Sequence, residues 1–336
     1  MNPGLESLKP YPFERLAELR ANVSAASHLS PINMSIGEPK HPTPQFIHDA
    51  LIDALDGTGK YPPTRGGSEL RSAIADWLTA RFRLPSDGID PSRQVLPVNG
   101  TREALFSIAQ CLVDSRASSA RVAMPNPFYQ IYEGAALLAG ASPYFISCPS
   151  ERDFLPNFDD VPNRIWDECQ LVYICTPGNP SGKVMDRALI AQLIELSDRH
   201  DFTIVSDECY SELYLDEDNP PVGLLQVAAE LGRADFSRCL VMHSLSKRSN
   251  APGLRSGFVA GDANLLTAYL RYRTYHGCAM SVQIQAASAA AWRDEDHVRE
   301  NRALYREKFH AVLPILRKYL NIPTPQAGLY LWPELP

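Results

Sequence analysis

The sequence predicts an α/β fold: a mostly parallel, seven-stranded sheet with helices on both faces, joined to a smaller α+β domain. Seven short apolar runs rich in β-branched residues follow one another after residue 93, and helical periodicity fills several of the gaps between them. Crossover helices cover both faces of a parallel sheet, so this alternation favours that architecture. The predicted strands are Gln94–Val98, Arg121–Met124, Tyr144–Ser147, Leu171–Cys175, Thr203–Ser206, Leu240–His243 and Gly257–Ala260, with helices such as Arg102–Val113 and Arg187–Arg199 between them.

The residues before this alternating region predict an arm and three helices. Apolar positions at helical spacing run from Phe13 to Val23, and a longer amphipathic pattern covers residues 70–78. Between them, Thr43 is placed to cap a helix whose first residue is Pro44. Two irregular, proline-rich loops, 36–42 and 61–67, separate these helices.

The segment after residue 280 predicts a smaller domain that looks incomplete. It is helical to about residue 319, and a new strand begins at Leu329–Trp332, four residues before the sequence stops at Pro336. We therefore expect three parts: an N-terminal arm with part of the small domain (1–45), a large cofactor-binding domain (46–280) and the C-terminal small domain (281–336).

Composition excludes several classes of protein. The 336 residues carry a formal net charge of −7, which gives no electrostatic footprint for nucleic acid or an anionic membrane. No apolar run reaches the roughly 18 residues of a membrane span, and the N-terminus has no signal-peptide pattern. The seven cysteines are scattered and never spaced C-x-x-C, and the histidines lack ligand spacing. We expect reduced thiols in a cytoplasmic protein, with no disulfide framework and no metal site.

Lys247 is the residue around which the candidate chemistry is organised. Ser244 and Ser246 flank it, and Arg255 follows eight residues later. A lysine amine with a lowered pKa forms Schiff bases with aldehydes, and hydroxyls with an arginine bind phosphate. Pyridoxal phosphate is both an aldehyde and a phosphate, so the grouping indicates a site for it; these four residues alone leave a surface-loop lysine open. We expect Lys247 to lie in a loop after a strand, with partial burial and nearby cations lowering the pKa of its amine.

Further polar residues follow directly after other predicted strands. They include Gly100–Arg102, Asn126–Pro127, Pro177–Pro180 and Asp207. In such sheets ligands bind beyond the carboxyl ends of the strands, so these residues are expected to meet at one site. Gly100–Arg102 also opens a helix, and the backbone N–H groups of a helix N-terminus hold phosphate well.

With these motifs in this order, the chain from about residue 30 onward resembles the fold-type I, class I/II aminotransferases, which use pyridoxal phosphate. The resemblance implies that Lys247 holds the cofactor as a Schiff base and then moves the proton from the substrate Cα. It implies that Asp207 pairs with the pyridine nitrogen and keeps the ring an electron sink. It also implies that Tyr210 and Asn179 bind the phenolic oxygen of the cofactor.

The same resemblance implies a phosphate site, a ring contact and an interface. Tyr129 is expected to stack on the cofactor, and Gly37 to lie near the substrate carboxylate. Tyr61 is expected to reach the phosphate in a neighbouring subunit, which implies a homodimer with active sites at the interface. The residues implied for the phosphate are Gly100, Thr101, Arg102, Ser244, Ser246 and Arg255, with the amide of Arg102 serving while its side chain points elsewhere.

Three stretches resemble one branch of the family. Residues 35–44, 126–135 and 244–257 look like the bacterial aminotransferases of lysine biosynthesis that exchange an amino group between N-succinyl-LL-diaminopimelate and 2-oxoglutarate. That substrate carries three carboxylates, so cationic side chains are expected at the mouth of the site. Loop position makes Lys40, Arg65 and Arg248 the candidates, and Gly37, Lys40 and Asn179 are expected to contact substrate.

Other assignments stay open. The same cofactor site would support transamination of aspartate, aromatic or acetylornithine-type substrates, or β-elimination by a C–S lyase. A non-catalytic effector domain of a transcription regulator is a remote alternative, because only about thirty residues precede the match and no helix-turn-helix is found. One departure is clear: the family binds the substrate α-carboxylate with an arginine downstream of Pro336, and no residue here matches it.

Overall fold

The computed structural model describes residues 1, 3–24, 26, 28–30, 32–34 and 36–334. Ser35, the first residue of one stretch behind the branch resemblance, and Pro336 lie outside them.

All seven predicted strands are present and form one sheet. They are β1 (Val95–Val98), β2 (Arg121–Asn126), β3 (Ser142–Ser147), β4 (Cys169–Cys175), β5 (Thr203–Asp207), β6 (Cys239–Ser244) and β7 (Gly257–Gly261). Their order across the sheet is β1-β7-β6-β5-β4-β2-β3. Strand β7 is antiparallel to both of its neighbours, whereas the other pairs are parallel, so the expectation of a mostly parallel sheet is confirmed.

The helices lie largely where helical periodicity predicts them. They are α1 (Pro12–Arg20), α2 (Gln45–Asp53), α3 (Ser68–Phe82), α4 (Thr101–Leu112), α5 (Gln130–Leu138), α6 (Asn163–Glu168), α7 (Arg187–His200), α8 (Leu224–Glu230), α9 (Leu245–Arg248), α10 (Ala263–His276), α11 (Val282–Arg293) and α12 (Asp296–Leu316). No helix among the described residues is long and apolar enough to cross a membrane.

The central strands are buried on both faces, and two cores result, whereas the edge strand β3 is largely exposed. Successive side chains of a strand point to opposite faces, so Val172 and Ile174 enter one core while Leu171 and Tyr173 enter the other. A third, smaller cluster joins Tyr210 and Leu213 to apolar residues of α12, including Phe309. This third cluster lies beside the carboxyl end of β5 and so links the C-terminal helix to the site described below.

Two local predictions are wrong. Pro44 has an extended backbone (φ −55°, ψ 139°), so α2 begins one residue later, and the Thr43 hydroxyl donates instead to the Asn250 carbonyl at 2.6 Å. Residues 329–332 form no strand within the described chain. Leu329, Tyr330 and Leu331 pack on the third cluster instead, because burial of their side chains rather than strand pairing fixes this segment. The division into domains at residues 45 and 280 stays a prediction.

Candidate active site

A cavity of about 750 Å³ lies at the carboxyl ends of the strands. Residues at the ends of β4, β5 and β6 line it, as do residues that follow β1 and β2. The predicted site residues in its lining are Gly37, Thr101, Arg102, Tyr129, Asn179, Asp207, Tyr210, Ser244, Ser246, Lys247 and Arg255. Residues far apart in the sequence therefore converge on one space, as the position of polar residues after strands predicts.

Lys247 extends into this cavity from the short helix α9, not from a loop as expected. Its Nζ donates to the Gly37 carbonyl at 2.5 Å and lies 5.9 Å from the centroid of the Tyr210 ring. Burial lowers the pKa of the Lys247 amine, whereas Cys209 and the Glu38 carboxylate act in the opposite direction. Of the two causes we expected, burial therefore favours the neutral amine, and no neighbouring cation among the described residues adds to it.

Asp207, the last residue of β5, presents a carboxylate that is almost completely buried. Burial raises the pKa of Asp207, and hydrogen bonds from Cys209 and Tyr132 oppose that shift. The Tyr132 hydroxyl donates to Oδ2 at 2.8 Å, and the Cys209 backbone N–H lies 3.3 Å from Oδ1. A cationic ring N–H would complete the carboxylate's partners and compensate for its burial.

Tyr132 was not predicted as a site residue. It is fully buried on α5, where its ring stacks on Tyr173 with the centroids 4.7 Å apart. The sequence did carry a signal, a second tyrosine three residues after Tyr129. The direction of its hydroxyl toward Asp207 depends on the packing of α5 against β4 and could not be deduced from that spacing.

Asn179, Tyr210 and Tyr330 form a chain of hydrogen bonds along one wall. Asn179 Nδ2 donates to the Tyr210 hydroxyl at 3.4 Å, and the hydroxyls of Tyr210 and Tyr330 are 2.7 Å apart. Burial, followed by the neighbouring Tyr330, raises the pKa of Tyr210 well above its usual range, so Tyr210 is a protonated hydroxyl. We did not predict Tyr330 as a site residue, because the segment that contains it was expected to form a strand.

The residues predicted to bind the cofactor phosphate form a cradle, and none of them is a carboxylate. The Ser244 hydroxyl lies 2.9 Å from that of Ser246 and accepts the Ser246 backbone N–H, which caps α9. Gly100 has a positive φ of 86°, and a Cβ there would lie 2.4 Å from Arg255 Nη2. Glycine is therefore needed both for the turn into α4 and for the approach of the Arg255 guanidinium.

These donors fit pyridoxal phosphate. The part-buried amine of Lys247 matches its aldehyde, and the buried carboxylate of Asp207 matches its pyridine nitrogen. The Tyr210 hydroxyl and the Asn179 amide match its phenolic oxygen. The hydroxyl-rich cradle with the Arg255 guanidinium matches its phosphate.

The Arg102 side chain faces the cavity, whereas we expected it to point elsewhere. Its Nε donates to the Tyr129 hydroxyl at 2.6 Å, and its Nη2 to the Tyr11 hydroxyl at 3.4 Å. No carboxylate in the described part of the chain forms an ion pair with Arg102. The N-terminal arm also reaches this wall, since Tyr11 and Phe13 line the cavity.

The three cations expected at the mouth of the site do not line the cavity. Lys40 is exposed and pairs with Glu38 at 2.7 Å, and Arg65 donates to the Ser92 carbonyl. Arg248 is buried and forms an ion pair with Glu295. We expected these residues at the site because their loops adjoin site residues in the sequence. Hydrogen bonds or ion pairs with local partners instead hold each of them outside the cavity.

Tyr61 also lies outside the cavity of this chain and is fully exposed. Gly37 does lie in the cavity wall, but the contact that the structure shows is from its carbonyl to Lys247. A Cβ at Gly37 would lie 2.2 Å from the ring of Tyr330.

Comparison with known proteins decides the family. The sequence profile of aminotransferase class I and II matches residues 30–336. The chain belongs to this family. An aminotransferase from Neisseria meningitidis, solved as a crystal structure, is 48% identical with a TM-score of 0.95, over 100% of this chain and 84% of that one. The aminotransferase AspB from Helicobacter pylori is 35% identical with a TM-score of 0.86, over 97% and 83%.

One curated relative is named for its substrate. The LL-diaminopimelate aminotransferase of Nitratidesulfovibrio vulgaris is 31% identical over 336 residues, which is 99% of this chain and 83% of the relative. The predictions of a fold-type I enzyme, of pyridoxal phosphate as cofactor and of aminotransferase chemistry are confirmed. The aminotransferase therefore uses an amino acid and a 2-oxo acid as substrates.

Proposed function

We propose that this aminotransferase exchanges an amino group between N-succinyl-LL-diaminopimelate and 2-oxoglutarate. The observation that carries the proposal is the Arg102 guanidinium, which faces the cavity and has no carboxylate partner among the described residues. A carboxylate of the substrate, remote from the reacting amino group, would supply that partner. The substrate offers two such carboxylates, one on the distal carbon and one on the succinyl group.

Each of the site residues has a distinct part in the chemistry. When bound, pyridoxal phosphate supplies an electron sink for the bonds of the substrate Cα. The neutral amine of Lys247 would take the proton from the substrate Cα and deliver it to the C4′ carbon of the cofactor. Asp207 holds a proton on the pyridine nitrogen, and Tyr132 supports the ionised carboxylate from behind.

The remaining residues bind and orient the cofactor. Tyr210 and Asn179 direct hydrogen bonds to its phenolic oxygen, and Tyr129 packs against its ring. The phosphate is held by the backbone of Gly100–Arg102 with the side chains of Thr101, Ser244, Ser246 and Arg255. Among the described residues, Lys247 is the single base positioned in the cavity to move the proton.

LL-diaminopimelate itself is the second candidate, because a curated relative bearing that name is 31% identical to this chain. The charges of the cavity favour the succinylated form. Free LL-diaminopimelate carries a distal ammonium group, which would need an anionic partner. Asp207 is the one carboxylate among the described residues that line the cavity, and its proposed partner is the pyridine nitrogen.

The decisive experiment is a half-reaction without a 2-oxo acid. The protein loaded with pyridoxal phosphate is mixed with N-succinyl-LL-diaminopimelate, LL-diaminopimelate, glutamate or aspartate, and conversion of the cofactor to its aminated form is followed by absorbance. Fast conversion with the succinylated amine and with glutamate supports the proposal. Fast conversion with LL-diaminopimelate and not with the succinylated amine favours the second candidate, and pyruvate release from a cysteine conjugate would indicate a C–S lyase.

We further propose that the active enzyme is a homodimer in which Tyr61 contacts the phosphate bound by the partner subunit. Its complete exposure in the single chain is compatible with this, because no described residue of the single chain covers its side chain. Light scattering should give twice the mass of the chain. Tyr61→Phe and Lys247→Ala are each expected to be weak alone, and mixing the two variants should restore activity at one site of each mixed dimer.

A further inference from the structure

Tyr330 lies directly behind Tyr210, in a segment where the sequence predicted a strand. The two hydroxyl oxygens are 2.7 Å apart, and the two rings meet edge to face with centroids 5.7 Å apart. Tyr330 also lines the cavity and packs on the cluster that joins Tyr210 to α12. The ring therefore has a fixed place, set by packing on one side and by a hydrogen bond on the other.

The fit between Tyr330 and Gly37 fixes this position from the opposite side. A side chain at Gly37 would overlap the Tyr330 ring, because its Cβ would lie 2.2 Å from the ring atoms. The carbonyl of the same glycine accepts the hydrogen bond of Lys247 Nζ. Tyr330 thus touches the backbone that holds the amine and the tyrosine that faces the cofactor.

We propose that Tyr330 is a positioning residue, which holds the Tyr210 hydroxyl so that its proton points to the phenolic oxygen of the cofactor. This inference rests on the proposed role of Tyr210. A tyrosine hydroxyl has one proton and can accept two hydrogen bonds. Asn179 Nδ2 already donates to the Tyr210 oxygen. When Tyr330 donates to that oxygen as well, the Tyr210 proton is left free for the cofactor.

Loss of Tyr330 should therefore change the proton affinity of the nitrogen that joins Lys247 to the cofactor. Donation from Tyr210 lowers the negative charge on the phenolic oxygen, and this oxygen is the acceptor for the proton on that nitrogen. A weaker or misdirected Tyr210 makes the oxygen a better acceptor, so the pKa of the nitrogen rises. A change at Tyr330 leaves in place the other titratable and charged groups that face this region. These are Glu38, Arg102, Tyr129, Cys175, Asp207, Cys209 and Arg255.

The test is a spectroscopic pH titration of the bound cofactor in the complete enzyme. Its visible absorption reports the proton on the nitrogen joined to Lys247. Tyr330→Phe should raise the apparent pKa by roughly 0.5 to 1 unit, a three- to tenfold gain in proton affinity, which is the scale of one neutral hydrogen bond. Tyr210→Phe should raise it further. In the Tyr210→Phe background, Tyr330→Phe should add no further shift, because it acts through the hydroxyl that is now absent.

Tyr305→Phe is the matched control, since Tyr305 packs in the same cluster and lies outside the cavity lining. It should leave the titration unchanged. The inference is overturned if Tyr330→Phe titrates like the wild type while Tyr210→Phe is shifted, or if its shift persists in the Tyr210→Phe background. If Tyr210→Phe itself causes no shift, the proposed role of Tyr210 fails first and the inference fails with it. Thermal melts of each variant check that the fold is retained.

Discussion

The hydrogen bond from Tyr132 to Asp207 provides a direct test of how the buried carboxylate is kept ionised. In Tyr132→Phe the ring remains, together with its stacking on Tyr173, and only the hydroxyl that donates to Asp207 Oδ2 is removed. The carboxylate then keeps the backbone N–H and the side chain of Cys209 as hydrogen-bond donors. The substitution therefore isolates one hydrogen bond to a charged group without opening a large cavity.

The size and the pH dependence of the effect follow from the charge. A hydrogen bond to a charged partner is worth about 1.5–3 kcal/mol, whereas one between neutral groups is worth about 1 kcal/mol. Burial already holds the pKa of Asp207 above its usual range. An acid with a raised pKa keeps its proton longer in the folded protein than in the unfolded chain, so stability falls as the pH rises between the two values. Removing the Tyr132 hydroxyl raises the pKa of Asp207 in the folded protein further. The pH range over which stability falls therefore becomes wider.

We therefore expect cofactor-free Tyr132→Phe to lose about 1.5–3 kcal/mol of unfolding free energy at pH values above the folded pKa of Asp207, where the carboxylate is ionised. Below the folded pKa of Asp207 the loss should shrink to about 1 kcal/mol. Urea unfolding across this pH range measures both values. Tyr173→Phe is the control, because its hydroxyl donates to the neutral Leu105 carbonyl at 2.6 Å. The unfolding free energy that Tyr173→Phe loses should not depend on pH. An identical pH profile of this loss for the two variants would refute the reasoning.

Two further predictions concern the substrate and the phosphate. Arg102→Gln should lower the kcat/KM for N-succinyl-LL-diaminopimelate relative to 2-aminoheptanoate by about 10- to 100-fold, the scale of a charged hydrogen bond. The control Arg65→Gln should leave this ratio unchanged. An unchanged ratio in Arg102→Gln would contradict the proposal. Gly100→Ala should weaken cofactor binding at least tenfold by displacing Arg255, measured by equilibrium dialysis. Gly232→Ala, at a similar φ of 77° but in open space, should cost stability and leave cofactor affinity intact.

The sheet and most of the cofactor site could be predicted from the sequence because local signals specify them. Short apolar runs define strands that are buried on both faces, and a parallel sheet brings residues that follow its strands to one edge. Asp207 and Lys247 are examples: each comes at or just after the end of a central strand, so their approach follows from topology. The antiparallel direction of β7 carries no such local signal and was not specified.

Contacts between distant segments could not be predicted in the same way. The apolar run 329–332 predicted a strand, yet Leu329, Tyr330 and Leu331 pack on the third cluster, which holds Tyr210 and residues of α12. Lys40 and Arg248 carry the expected charge, but each finds a nearer carboxylate, Glu38 or Glu295. Since an ion pair depends on which acid the fold brings within reach, loop position alone says little about where a cation points.

The pKa of Lys247 shows that one expected cause acts and the other does not. Partial burial and nearby cations were both expected to lower this pKa, but the neighbours that act on the amine electrostatically, Cys209 and Glu38, favour the protonated form. Burial outweighs them, and burial depends on walls supplied by Gly37, Tyr210 and the rest of the cavity. The lowered pKa of the amine is therefore a property of the cavity as a whole. A substitution that opens the cavity, even one that leaves every charge in place, should raise the pKa of Lys247 and slow proton transfer at neutral pH.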